Sequence, residues 1–450
     1  MGAGTARGGA CFLISGKVRK NMEFVVFAGV LLLLFIFMIV QELIQTKNQE
    51  KLFKKYLCEN YGKEPPKEYS LERFARLGSY LERHKEEKQL DDITWNDLGM
   101  DEVFRRIDRT YSAAGEEYLY YTLRNISCGR EALEHLEEVV NWLQEQENIK
   151  VRIQLLMKRL GHLGKYSLYD YLDNLDYLGE RSNRKIVLGN LLYLPFLLLL
   201  FVQPAMGTIG IGLCMLWHIM TYFREKKVIE PYIISFAYVL RLIDVCEELE
   251  KQKIPVYRRE LDELREALKS LRELRRGAYW VMAGNQGKIG GNPLDILADY
   301  LRMILHLDIF QFNRMLEKLR KKTGQVETML AITGYLDMAI SVGGFRKSLE
   351  GYCIPKLEED TEKAFLHMKK GWHPLLSQPV KNSIRADRGI LLTGSNASGK
   401  STFLKMVAVN AVLAQTIHTC AAESYHAPIF QIFSSMALRD SMENGESYYI

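Results

Sequence analysis

The chain has 450 residues, with 60 Lys and Arg against 55 Asp and Glu, and a net charge of +5. That near balance excludes a histone-like polycation while leaving room for a local basic groove. With 48% hydrophobic residues, 26% charged residues and 11 Pro, neither a disordered nor a collagen-like chain fits. The length suggests about three units of roughly 150 residues.

The cysteines (Cys11, Cys58, Cys128, Cys214, Cys246, Cys353, Cys420) are widely spaced with no C-x-x-C. This argues against a zinc site, a redox pair or a disulfide scaffold, and for reduced thiols in a cytoplasmic or membrane setting.

Residues 1–23 read as a tail. From Phe24 to Gln41 there is no charge, and the run predicts a transmembrane helix over 24–41. Lys17, Arg19 and Lys20 precede it, while Lys47, Lys51, Lys54 and Lys55 follow, so the two flanks give opposed signals under the positive-inside rule. Translation from Met22 would remove the first set and leave the second on the cytoplasmic side. A cleaved signal peptide is the alternative, but no A-x-A-like site follows Val40. Ala6 stands where a myristoylation motif needs Ser or Thr.

Residues 42–185 read as a charge-dense helical region, with Asp92 to Asp97 as a turn and helix start offering Asp and Asn caps. From Ile186 to Phe223 there is again no Asp, Glu, Lys or Arg. Split at Gln203-Pro204, the stretch 186–223 predicts a transmembrane hairpin, with Tyr193, Trp217 and Tyr222 as interfacial aromatics. A buried helix pair of a soluble protein is the alternative. Residues 224–370 read as a helical core or lever region. There Leu261, Leu264, Leu268 and Leu271 mark an amphipathic helix that serves either core packing or a lever. Gly284 to Asn292 reads as a loop without chemistry.

In the last stretch, 371–450, Gly394-Ser-Asn-Ala-Ser-Gly399-Lys400-Ser401 matches G-x-x-x-x-G-K-[ST]. A β-prone run, Ile390 to Thr393, precedes it, and a helical pattern (Phe403, Leu404, Val407, Ala411, Leu413) follows. Glycines allow backbone N–H groups to close round phosphates, and the helix N-terminus adds its positive end. Lys400 would reach the β- and γ-phosphates, and the Ser401 hydroxyl would ligate Mg²⁺. The predicted ATP-binding residues are Gly394, Ser395, Asn396, Ala397, Ser398, Gly399, Lys400, Ser401 and Thr402.

The flanks carry a family resemblance. Trp372-His373-Pro374-Leu375-Leu376 stands upstream, with Ser434-Ser435-Met436 and then Arg439-Asp440-Ser441-Met442-Glu443-Asn444-Gly445-Glu446-Ser447 downstream. Together with Asn396, these resemble the ATPase domain of the MutS family of DNA mismatch-repair proteins. Gly334-Tyr-Leu-Asp337-Met-Ala339-Ile-Ser341 looks like that family's helix entering the ATPase domain. Ser112-Ala-Ala-Gly115-Glu-Glu-Tyr118-Leu119 looks like the start of its helical core.

The resemblance implies ATP and Mg²⁺ as cofactors, and a homodimer in which Ser447 reaches the nucleotide of the opposing subunit. It also implies DNA as a partner. His373 would border the pocket or simply pack. Two departures temper this. Ser441 replaces the second acid of an Asp-Asp pair beside Asp440, and the acidic Mg²⁺- and water-positioning motif is not present before Ile450. A longer chain is therefore expected to be the hydrolytic enzyme. Phe223-Arg-Glu225, the one Phe-x-Glu, is better explained as the end of an apolar helix than as a mismatch wedge. Basic runs at Arg272 to Arg276 and Lys318 to Lys322 alternate with acids and read as solvated faces rather than a DNA clamp.

The expected fold is an α-helical, membrane-anchored protein with about three transmembrane helices, a helical core or lever region, and an incomplete C-terminal P-loop α/β domain. It would be a multi-pass protein of the lipid bilayer with the ATPase domain in the cytoplasm. The expected function is nucleotide-gated dimer closure coupled to DNA. The rival is a membrane interaction protein gated in the same way without DNA, and a third option is a non-functional remnant.

Overall fold

The structure, a computed structural model, describes residues 37, 40–41, 44–63, 69, 71–86, 88–126, 129–164, 166–275, 300–359, 364–395 and 398–436. The chain divides into two compact units, Met1–Glu59 with Ile289–Ile296, and Asn60–Lys288 with Leu297–Ile450. In the first unit, residues 44–59 form a helix. The tail 1–23, most of the predicted span 24–41 and the glycine-rich stretch Gly284 to Asn292 lie outside the described residues.

The second unit is built round the helix Thr323–Ser348. Its residues are apolar or small on nearly every side, the pattern of a helix surrounded by protein. It is long and apolar enough to cross a membrane, yet 83% of its apolar window is buried. The helices Ala113–Arg124, Gly129–Glu145 and Arg258–Leu271 pack on it. Small residues set how closely they approach: a Cβ at Gly334 would lie 2.6 Å from the Ala114 carbonyl oxygen. Leu261, Leu264, Leu268 and Leu271 are all buried, so the leucine stripe is core packing. Two cations of the run Lys318 to Lys322 are half-buried and paired with acids. Lys318 bridges Glu273 at 2.8 Å, and Arg320 lies 3.5 Å from Asp176.

The turn before Trp95 differs in one detail from its expected capping. The helix Asp92–Leu98 is capped by Asp91, whose side chain accepts the Thr94 N–H at 2.8 Å. Asp97 is thereby free for a long-range contact described below.

The uncharged stretch does form a hairpin turning at Gln203. Helices Arg184–Leu191 and Tyr193–Val202 make one arm, and Pro204–Glu250 begins the other. Only 6% of the window in Arg184–Val202 is buried. The second arm does not stop at Phe223. It continues as one helix to Glu250 because Ile233, Phe236, Leu240 and Ile243 recur at three- and four-residue spacing and are buried in the core. Phe223 is 59% exposed and Glu225 pairs with Arg181, as befits the end of an apolar stretch.

Residues 224–370 are not helical throughout. β1 (Lys356–Glu358) and β2 (Leu366–Gly371) join β3 (Asn382–Ala386) and β4 (Ser424–Pro428) in a mixed sheet of order β1-β4-β2-β3. β1 and β4 are parallel, while β2 is antiparallel to both β3 and β4. Ile390 to Thr393 is not a strand, and Leu391 is 88% exposed. Among the described residues no strand lies beside this run. Without a partner its N–H and C=O groups turn to water instead of a ladder. The expected parallel P-loop sheet is thus not formed among the described residues. What stands there is a helix behind the loop and a small mixed sheet.

Candidate nucleotide site

Of the predicted site residues, Gly394, Ser395, Ser398, Gly399, Lys400, Ser401 and Thr402 are described. Asn396, Ala397 and Ser447 lie outside the described residues, as do Asp440 and Ser441. Gly399 adopts a left-handed φ of 87° and starts the helix Lys400–Thr416, a conformation that strains any residue with a Cβ. The Phe403 N–H closes the first turn onto the Gly399 carbonyl at 2.9 Å.

Lys400 Nζ donates to the carbonyl oxygens of Gly394 at 2.5 Å and Ser395 at 2.6 Å, so the ammonium lies across the mouth of its own loop. A Cβ on Gly394 would meet Ser398 Oγ at 2.9 Å, which shows how tightly the loop folds back. Ser401 and Thr402 are exposed at the helix N-terminus. This arrangement fits a Mg²⁺–nucleotide: the loop N–H groups and Lys400 would hold the phosphates, and the Ser401 hydroxyl would ligate the metal.

Asn410, fully buried on the same helix, ties it to the segments at Trp372 and Ala421. Its Nδ2 donates to the Trp372 and Met406 carbonyls at 3.0 and 2.9 Å, and its Oδ1 accepts the Ala421 N–H at 2.7 Å. The buried His373 accepts the Leu375 N–H at 3.3 Å. Burial, aided by Lys405, pushes its ring below the usual histidine value. It sits beside the helix that begins at Lys400.

Arg346, at the end of the core helix, reaches the other end of Lys400–Thr416. It donates to Thr419 Oγ1 at 2.8 Å and to the His418 carbonyl at 3.0 Å, and it forks onto Glu137 at 2.7 and 3.1 Å. The segment Ser434 to Met436 is held by Asp97, which accepts Ser434 Oγ at 2.9 Å and the Met436 N–H at 2.7 Å. Cys353 and Cys420, distant in sequence, face each other across an antiparallel bridge as free thiols.

The two helical stretches singled out by resemblance also meet. Asp337 accepts the N–H groups of Tyr111 and Ser112, and Ser341 Oγ accepts the Arg109 N–H at 2.8 Å and donates to the Ile107 carbonyl at 2.8 Å. Sequence reasoning missed Asn410, Arg346 and Glu137. Asn410 had a signal, as a lone amide among Met406, Val409, Ala411 and Val412.

Residues 390–450 match the family model for MutS domain V. A stretch of 145 residues, 31% of this chain, is 31% identical to the DNA mismatch repair protein MutS of Acholeplasma laidlawii, covering 17% of that protein. The MutS of Leptospira interrogans is 30% identical over 159 residues, covering 33% of this chain and 18% of the relative. That of Thermotoga maritima is 30% identical over 120 residues, 25% of this chain and 15% of the relative. The chain spans less than a fifth of the length of these curated relatives. The similarity supports a MutS-related stretch that covers about a third of this chain.

Proposed function

We propose that this chain is an ATP-binding, MutS-related protein held in a membrane. Nucleotide at the loop Gly394 to Thr402, with Mg²⁺ on Ser401, would close a homodimer through Ser447 of each copy. The observation that carries this reading is the Lys400 ammonium set across the loop mouth at the start of a helix, inside the stretch matched by MutS domain V. The tie between the far end of that helix and the core helix, through Arg346 to Thr419 and the His418 carbonyl, supports transmission of nucleotide state into the helical region. The relatives' name, DNA mismatch repair protein, supports duplex DNA as what the closed dimer holds. The membrane segments would be 24–41 and the hairpin 186–223, with the loop on the cytoplasmic side.

The exposed apolar hairpin favours a second reading, in which the gated dimer acts on a membrane or a membrane protein without DNA. The test is ATP binding and dimerisation measured together on the full chain in detergent, with Lys400→Ala beside it. Binding lost in Lys400→Ala, together with ATP-dependent dimers, supports the proposal. Equal binding by both chains, or none, overturns it. Duplex binding that weakens steeply with salt then selects the DNA reading.

A further inference from the structure

We infer that the hairpin enters only one leaflet of an anionic bilayer, as a re-entrant wedge whose tip stops near the midplane. This rests on the membrane-anchored reading above and specifies its geometry.

The base of the hairpin is fastened to polar groups that have no place in hydrocarbon. Asn183 Nδ2 donates to the Phe310 carbonyl at 3.0 Å, and Asn190 Nδ2 to the Leu305 carbonyl at 3.1 Å. On the return arm, His218 Nδ1 lies 3.2 Å from His306 Nδ1, and the Tyr222 hydroxyl donates to Asp308 at 2.8 Å. Lys226 completes the collar beside Tyr222 and Asp308. The water boundary therefore lies near Asn190 and His218.

Beyond that boundary the arms are short. From Leu191 to Val202 the first arm rises about 18 Å. The return from Pro204 to Trp217 rises about 20 Å. The hydrocarbon core is about 30 Å thick, so these arms match one leaflet and fall well short of two.

Apart from the exposed Gln203 at the turn itself, the tip is apolar. Phe201 is 88% exposed and Val202 77% exposed, with Met206 just past the turn. A spanning hairpin would place these at the opposite headgroup layer, where charged or polar residues belong. Thr208 near the tip has its hydroxyl bonded to the Pro204 and Ala205 carbonyls at 3.0 and 2.9 Å, leaving it satisfied without water. The cations Arg184, Lys185, Arg224 and Lys227 are exposed at the base, and none lies between. They sit where the phosphates of one anionic leaflet would meet them, with the half-exposed Trp217 about 10 Å deeper, at the hydrocarbon boundary beside His218. Close packing of Gly207 on Leu200 and of Gly210 on Phe196 holds the arms as a single wedge.

The test uses the full chain with its native cysteines replaced, in sealed vesicles of phosphatidylcholine and phosphatidylglycerol. Gln203→Cys reports the tip and Arg224→Cys the base; Phe201→Cys gives an independent reading beside the tip. The expected result is that Arg224→Cys reacts with an impermeant maleimide from one face, while both tip variants react from neither. An environment-sensitive fluorophore at position 203 should be quenched several-fold more by a deep nitroxide lipid than by a shallow one. Reaction of Gln203→Cys from the face opposite Arg224→Cys means a full span and overturns the inference alone. Reaction of both from the same face, without quenching, means the hairpin stays out of lipid and also overturns it. Failure of the chain to float with vesicles overturns the membrane reading itself.

Discussion

The Asp337 carboxylate accepts the Ser112 hydroxyl at 2.6 Å and the Ser112 N–H at 2.9 Å, joining residues 225 positions apart. Both are fully buried. Ser112 in turn caps the helix Ala113–Arg124 by accepting the Gly115 N–H at 3.0 Å. One carboxylate thus fixes the start of one core helix against the middle of another. Asp337→Ala would strand the Tyr111 and Ser112 donors in the interior, each at about 1–3 kcal/mol. We expect a loss of about 3 kcal/mol or more, against about 1 kcal/mol for Asp337→Asn, which keeps an acceptor. Urea unfolding of the full chain in detergent checks this, and equal losses for the two variants would contradict it.

Gly115→Ala tests the same joint by sterics. On an open helix face the change stabilises by about 1 kcal/mol through propensity. Here the new methyl would lie 2.6 Å from the Asp337 Cβ, so something must shift to admit it. Overpacking at about 1–3 kcal/mol should win, so the unfolding midpoint should fall. A rise would mean the two helices are less tightly apposed than this contact requires.

The helical character of the chain and the hairpin turn at Gln203 were legible because each rests on local pattern. Lys400, Gly399 and Gly394 announce themselves by spacing, and the leucine stripe by its period. The sheet was not legible: β1 has only 3 residues, and β2 pairs with β4 across most of the phosphate-loop helix and its surroundings. The strand character of Ile390 to Thr393 failed for the converse reason, since local propensity cannot supply a neighbour. Arg346 and Glu137 come together from 209 positions apart, which no local window reports. The pairing of Ser112 with Asp337 was half visible, because both stretches carry the family resemblance while their contact does not.

Glu137 gives a pH dependence. Burial alone would raise its carboxyl, but the His418 ring and the Arg346 guanidinium outweigh that and hold it at about 2, below its ordinary 4.5. A carboxyl depressed on folding contributes stability that is present above its unfolded pKa and lost as pH falls towards the folded one. Wild type and Glu137→Gln should therefore differ most above pH 4.5 and converge near pH 2. Unfolding midpoints collected across that range check it; a gap that stays constant with pH would mean that Glu137 acts through packing alone.

Stability and nucleotide binding should separate along the phosphate-loop helix. Among the described residues Lys400 Nζ donates to carbonyls of its own exposed loop alone, so Lys400→Ala should change stability by less than about 0.5 kcal/mol while removing ATP-induced stabilisation. Asn410 is the reverse case. Asn410→Leu keeps the volume but leaves the Trp372 carbonyl and the Ala421 N–H without their buried partner, at about 2–4 kcal/mol in sum. Asn410→Asp retains the acceptor for Ala421 but sets a carboxylate against the Trp372 carbonyl, so it should not rescue. Melting curves with and without ATP distinguish the two positions. Loss of the ATP shift without loss of stability should belong to Lys400, and loss of stability with the shift retained to Asn410. If Asn410→Leu also abolished the shift at temperatures where it remains folded, the Trp372–His373 wall would be part of the binding surface rather than its support.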